Sequence, residues 1–305
     1  MRNYMLLIFA TAAALSAQPP MEGPVVGWVW DDRVQAIRAI QGIPGSSLLG
    51  DPVDIGFPLA SAAIASAGEF ALVVSGEGRV FHAGLRGRKP VTAIDVPADA
   101  AGVVLSPGSN AAAVLYGSRV LLLKNLSTQP VISADLDLSA AGLPARISVR
   151  DDGGGMLGLY PDGAGLIAFD RNGNRWPIAS ASGARSIQFL DNGQDALIVM
   201  DRGVAILEDA LGNASLRMLW EGNAESALPS GRRSAVVLTD RGLLAINLTN
   251  GEAREFECAC QPVLFPGSRL ASSVFRVSGI TDGPTWLADL SGPQPRTVFV
   301  PAADQ

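Results

Sequence analysis

One histidine and two cysteines among 305 residues leave little for covalent or metal chemistry, and their neighbours set what each can do. His82 sits in the apolar stretch RVFHAGL. A general base needs a nucleophile and an orienting partner within reach, and the sequence nominates neither. The plainer expectation is a strand residue hydrogen-bonded at the sheet edge or between blades. Cys258 and Cys260 lie in EFECACQP. In an oxidising compartment such a pair invites a local disulfide. In a strand, residues i and i+2 stand about 6.6 Å apart and point in parallel, which disfavours the link unless a turn begins before Pro262. A disulfide and two packed thiols therefore both stand open. Two thiolates without two further ligands make a poor zinc site.

The acidic candidates fare no better. Asp170-Arg-Asn172-Gly-Asn174 imitates the start of a calcium loop, but its sixth position is Arg175 and its twelfth Ala181, where Gly and Glu are needed. A hairpin turn is the better reading. Gly153-Gly154-Gly155 lacks the following helix that would make it a phosphate cradle. Asp31-Asp32 is expected to face water at a turn. Asp54, Asp151 and Asp191 are possible donors to a bound cation, though no spacing selects them. No catalytic residue, metal ligand or cofactor is nominated.

Five arginines share a position. Arg33, Arg79, Arg119, Arg202 and Arg241 each stand in a turn just before an apolar run. Guanidinium forks of this kind suit carboxylate or sulfate groups. Asp32, Asp201 and Asp240 adjoin three of them, and exposed pairs contribute little.

What must position these residues is a repeat. SAGEFALVVSGEGRVFHAGL, SPGSNAAAVLYGSRVLLLKN, DDGGGMLGLYPDGAGLIAFD, LDNGQDALIVMDRGVAILED and LPSGRRSAVVLTDRGLLAIN each open on a Gly turn, run apolar, turn and resume. LFPGSRLASSVFRVSG and a weaker MEGPVVGWVWDDRVQAIRAI extend the series to seven. The marker glycines are Gly23, Gly68, Gly108, Gly153, Gly193, Gly231 and Gly267, about 40 residues apart. Runs of four to six apolar residues between Gly, Asp, Asn and Ser are strands, and hairpin signals such as Asn172-Gly173 join them. Four antiparallel strands at this period give an all-β fold, a single seven-bladed β-propeller over residues 18–305. The alternative is six blades after an irregular N-terminal segment. The first copy has no room for an innermost strand, so either one blade is short or the last run, RTVFV, crosses over to complete it.

SPGSNAAAVL and LDNGQDALIV resemble the turn-plus-strand of WD40-like, TolB-like and lactonase-type propeller repeats. The resemblance implies the fold and carries no active site. The Gly-His dipeptide of WD40 repeats is absent, and Trp-Asp occurs only once, at Trp30-Asp31, and does not recur with the repeat.

With 17% charged and 48% apolar residues and a net charge of -6, the chain is neither disordered, nor a polybasic nucleic-acid binder, nor a disulfide-dense mini-domain. Arg2, the apolar run from Met5 to Leu15, and small residues before Pro19-Pro20 have the layout of a signal peptide over residues 1–17. The expected mature chain is exported, periplasmic or extracellular, with no membrane span and a monomeric state. Twenty-one of the 23 basic residues in the full sequence are Arg, which suggests a GC-rich bacterial coding sequence. The leading functional expectation is a non-enzymatic module that binds a protein or a small anionic ligand across one face. A lactonase- or hydrolase-like enzyme with a metal in the channel is the alternative, and a structural module of the cell envelope is the third.

Overall fold

The computed structural model describes residues 23–301, except 88–89, 161–164, 192, 259–260, 264–268 and 281–283. The expected signal peptide, Gly267 and Cys260 therefore lie outside the described residues. Twenty-seven strands, β1–β27 in chain order, form seven antiparallel sheets: six of four strands and one of three. The chain is a seven-bladed β-propeller.

Blade 1 holds β1 (Val25–Asp31), β2 (Ala36–Ile43) and β3 (Ser46–Pro52). The strands that open blades 2 to 6 are β4 (Leu59–Ile64), β8 (Gly102–Leu105), β12 (Arg146–Val149), β16 (Ala184–Phe189) and β20 (Ala224–Ser230). Blade 7 is β24 (Arg269–Ala271), β25 (Val274–Arg276), β26 (Thr285–Asp289) and β27 (Arg296–Val300). RTVFV thus stays in its own blade, paired to β26, and the ring closes one strand short. By its marker β1 is a second strand, yet it lies beside both β4 and β24 and so takes the channel-facing place.

Both faces of each sheet are covered, which explains continuous apolar runs in place of alternation. FALVVS in blade 2 and GMLGLY in blade 4 are buried at every position. Seven hydrophobic clusters occupy the seven seams between neighbouring blades. Between blades 4 and 5 the cluster has 13 fully buried members, including Phe189 and Ile198. Each seam flanking blade 1 has six, so the short blade is the least cemented part of the ring.

The marker turns work as expected in four copies, where Gly68, Gly153, Gly193 and Gly231 take left-handed φ of 63–71°. Two copies depart. In blade 3 the left-handed residue is Ser109, not Gly108. In blade 7 the turn between the first two strands is Ser272-Ser273, so Gly267 was the wrong marker for that copy. Ser272 stands 272 - 231 = 41 residues after Gly231, which keeps the repeat length.

Candidate functional site

The topology puts the five arginines on one face. Arg79, Arg202 and Arg241 occupy the turns joining second and third strands, Arg119 opens the third strand straight after that turn, and Arg33 lies in the matching turn between β1 and β2. All five are exposed. Their surroundings differ. Arg119 is held by Asp135, with Nε donating to Oδ1 at 3.1 Å. The Arg79 guanidinium lies over the Phe81 ring, 5.6 Å from its centroid. Asp201, which adjoins Arg202 in sequence, is engaged instead by Arg185 at 2.7 Å. Arg202 and Arg241, in the adjacent blades 5 and 6, have no acid partner among the described residues. The Arg241 turn is fixed through its backbone, which donates to Thr239 Oγ1 at 3.2 Å and leaves the side chain to solvent.

A second constellation, which the sequence did not assemble, lies at the opposite mouth of the central channel. There blades 2 to 6 pass from first to second strand, and one column of residues stands two positions before each marker glycine. That column reads Ser66, Ser106, Asp151, Asp191 and Pro229. Hydrogen bonds between blades tie parts of it together. Ser66 N–H donates to Ser109 Oγ at 3.0 Å, Gly108 N–H to Asp151 Oδ1 at 2.8 Å, and Asn110 Nδ2 to the Asp151 carbonyl at 3.1 Å. A Cβ on Gly108 would stand 2.6 Å from an Asp151 carboxylate oxygen, so this marker glycine serves close approach and not φ. From blade 7, Arg269 reaches past the Pro229 position to Asp191, Nη1 to Oδ1 at 3.2 Å, with both side chains largely buried.

Burial pushes the Asp151 carboxyl above its ordinary value. The Ser106 hydroxyl and Gly108 N–H oppose this, nearby Asp191 adds to it, and Arg269 opposes it. An acid with a raised folded-state pKa favours the native state fully below its unfolded value of 3.8, and that advantage is lost as pH rises through the folded value. At neutral pH the ionised group is a liability. Asp151→Asn, which keeps an oxygen for the Gly108 N–H, is therefore expected to melt at or above the parent at pH 7. The advantage should vanish near pH 3.5–4. Thermal melts across pH 3–7 check this, and a clear loss of stability at neutral pH would contradict it.

The channel encloses a cavity of about 450 Å3. Its wall is apolar at Ile64, Leu105 and Leu228, and polar at Asp32, Gln188, Arg269 and Arg276. Arg276 is only 7% exposed, and its Nη1 donates to the Trp30 carbonyl at 3.2 Å across the closing seam. Burial lowers its pKa, while the Asp32 and Asp31 carboxylates work against that. Asp31 is itself buried at 1% exposure, contrary to the expectation that Asp31-Asp32 faces water. It is ion-paired to Arg38 at 3.2 Å and accepts the Arg33 N–H at 3.1 Å. Asp32 alone is exposed, and it accepts the Trp30 indole N–H.

The remaining candidates are structural. The His82 ring stacks on Phe70 with centroids 4.6 Å apart. Asp170 accepts the backbone N–H groups of Asn172 and Asn174, each at 2.9 Å, which closes a hairpin turn. Asp54 accepts the Gly56 N–H within an exposed loop. Cys258 packs partly buried against the seam between blades 6 and 7. Among the described residues no group of three or more His, Cys, Asp or Glu could hold a metal ion, and no helix is long and apolar enough to cross a membrane.

No protein-family model matches the chain, and no curated protein does. Solved structures do. A functionally unknown protein from Desulfotomaculum acetoxidans DSM 771 is similar at 14% identity with a TM-score of 0.58, over 91% of this chain and 99% of its own. Citrobacter koseri AztD is similar at 13% identity and a TM-score of 0.52, over 88% and 80% of the two chains. The C-terminal WD40 domain of Sif2 matches at 12% identity and a TM-score of 0.49, over 88% and 80%. At such identities the likeness is one of fold. It agrees with the propeller-repeat resemblance of the turn-plus-strand segments.

Proposed function

We propose that the chain is an exported, non-enzymatic β-propeller that binds an anionic partner across the face carrying Arg33, Arg79, Arg119, Arg202 and Arg241. The observation that carries this reading is the pair Arg202 and Arg241. They occupy equivalent exposed turns of adjacent blades, and neither has an acid partner among the described residues. Arg119 and Arg79 are committed to Asp135 and Phe81, so the face is graded, with its available charge concentrated on blades 5 and 6. A propeller suits such a role because it presents the same turn at regular intervals around one rim. Function still has to rest on the residues there and not on the fold.

The test uses the chain expressed from Met1 and recovered from the periplasm, where this reading expects it to begin at Gln18. Binding of sulfated and phosphorylated ligands, and capture of periplasmic proteins, is measured at low and moderate salt. Arg202→Ala/Arg241→Ala is expected to weaken binding about tenfold or more, since each lost charge-assisted contact is worth roughly 1.5–3 kcal/mol. Wild-type affinity should fall with salt. Binding that ignores both the double substitution and salt would overturn the proposal, as would a chain that stays in the cytoplasm.

A further inference from the structure

We propose that the outer edge of blade 1 is a self-association site, where β3 of two copies of this chain pair antiparallel across a two-fold axis. Blade 1 has three strands, and β1 takes the channel-facing place. Among the described residues β3 is therefore the only third strand with no fourth strand over it. Its unpaired N–H and C=O groups are a template for another strand. The outer strands of the other blades are blunted. β7 (Val91–Ala93) and β15 (Arg175–Pro177) are three residues long. β11 (Val131–Asp137), β19 (Ser215–Glu221), β23 (Ala253–Phe256) and β27 carry Asp135, Arg217, Arg254 and Arg296. β3 instead runs from Ser46 to Gly50 without a charge. The two most exposed large hydrophobic side chains among the described residues, Leu48 at 62% and Ile43 at 59%, share one face of this edge.

The register selects the occupant. Gly42 N–H donates to the Pro24 carbonyl at 2.6 Å, so the backbone polar groups of Gly42 point towards β1. These groups alternate along a strand, so those of Gln41 and Ile43 point to β3, where Leu48 and Ser46 stand opposite. Ser47 and Leu49 are left with theirs turned outward. In a two-fold pairing centred on Leu48, Ser47 of each copy exchanges both hydrogen bonds with Leu49 of the other. Leu48 then meets its own copy as a non-hydrogen-bonded pair, the closer kind, with Cα atoms about 4.5 Å apart. Asp51, the one ionisable group of β3, falls opposite Gly45 in the hairpin turn, so no acid faces an acid. A second copy thus supplies what the edge lacks: an antiparallel strand, uncharged at its centre, with an apolar side chain against Leu48. Such an isologous contact closes at two copies. The monomer expected from the sequence is then the dilute form.

The experiment is sedimentation velocity on the full chain from about 1 to 500 µM, since a single strand pair lies at the small, transient end of interfaces. The parent should pass from one copy to two as concentration rises and go no further. Leu48→Lys and Leu48→Glu each set like charges opposite one another and should weaken association about tenfold or more. Because position 48 meets itself, an equimolar mixture of the two variants should associate again. Both should melt with the parent, since the side chain is exposed. Arg202→Ala/Arg241→Ala should associate as the parent does, which separates this edge from the arginine face. The proposal is overturned if the parent stays monomeric throughout or grows beyond a dimer. It is equally overturned if either charged variant associates as the parent, if their mixture stays apart, or if the arginine double variant loses association.

Discussion

Replacing Asp31 with alanine is expected to cost about 3–5 kcal/mol of stability, because it breaks a buried ion pair on one side only. Asp31 Oδ2 lies 3.2 Å from Arg38 Nη1, and the two side chains are 1% and 12% exposed. Arg38 is anchored further by its Nε, which donates to the Gly50 carbonyl at 2.7 Å, so it cannot swing to water without breaking the end of blade 1. Arg276, buried across the seam, loses an opposing charge as well. The double variant Asp31→Ala/Arg38→Met separates the causes. Removing both partners should recover much of the loss, since the single substitution is costly mainly through the cation it strands. Urea unfolding of parent, singles and double measures this. A single variant within about 1 kcal/mol of the parent would show that water already reaches the pair.

The location of this clamp matters. The two seams beside the short blade have six fully buried apolar members each, against 13 between blades 4 and 5. Where apolar burial is thinner, charged groups fill the junction: Asp31 with Arg38, and Arg276 on the Trp30 carbonyl. Closure here uses no strand exchange, since β27 pairs only with β26. It rests on packing, on this polar clamp and on the contact of β1 with β24.

The sequence showed the propeller because the physics of the fold writes a local signature. Every sheet is covered on both faces, so runs such as ALIVM and AVVL are uniformly apolar, and every blade must turn tightly at a fixed interval. The arginine column was legible for the same reason: it follows the turn that sets the register. Where a serine did the work of glycine the signal failed, as at Ser109 and at Ser272-Ser273. The channel mouth was hidden differently. Asp151, Asp191 and Arg269 lie 40 and 78 residues apart, and Arg269 comes from the one copy whose marker was misplaced. Aligning the position two residues before each marker would have exposed Ser66, Ser106, Asp151, Asp191 and Pro229 as one column. Nothing local revealed that Asp31 is buried, because its ion-pair partner Arg38 is placed by the β1–β2 pairing and Arg276 comes near only from blade 7.

That closing contact sets the second large effect. At Gly27, on β1, an added Cβ would stand 2.7 Å from Leu270 Cβ and 3.0 Å from the Leu270 carbonyl oxygen on β24. One of the two atoms met belongs to the backbone, so a rotamer change cannot relieve the clash. Gly27→Ala is expected to destabilise by about 1–3 kcal/mol, and Gly27→Val by about 3 kcal/mol or more, as an overpacked site that must move a strand. Gly102, also on a channel-facing strand, has open space at its Cβ and no positive φ. Gly102→Ala should be neutral or gain about 0.4–1 kcal/mol. The loss at Gly27 should be local, since each blade is held mainly by its neighbours. Hydrogen exchange should quicken in blades 1 and 7 well before blades 3 to 5. Arg269 and Arg276 both come from blade 7, so the channel should lose its polar lining before the ring unfolds. Uniform acceleration across all seven blades would mean that the ring melts as one unit and that the short blade is no weak point.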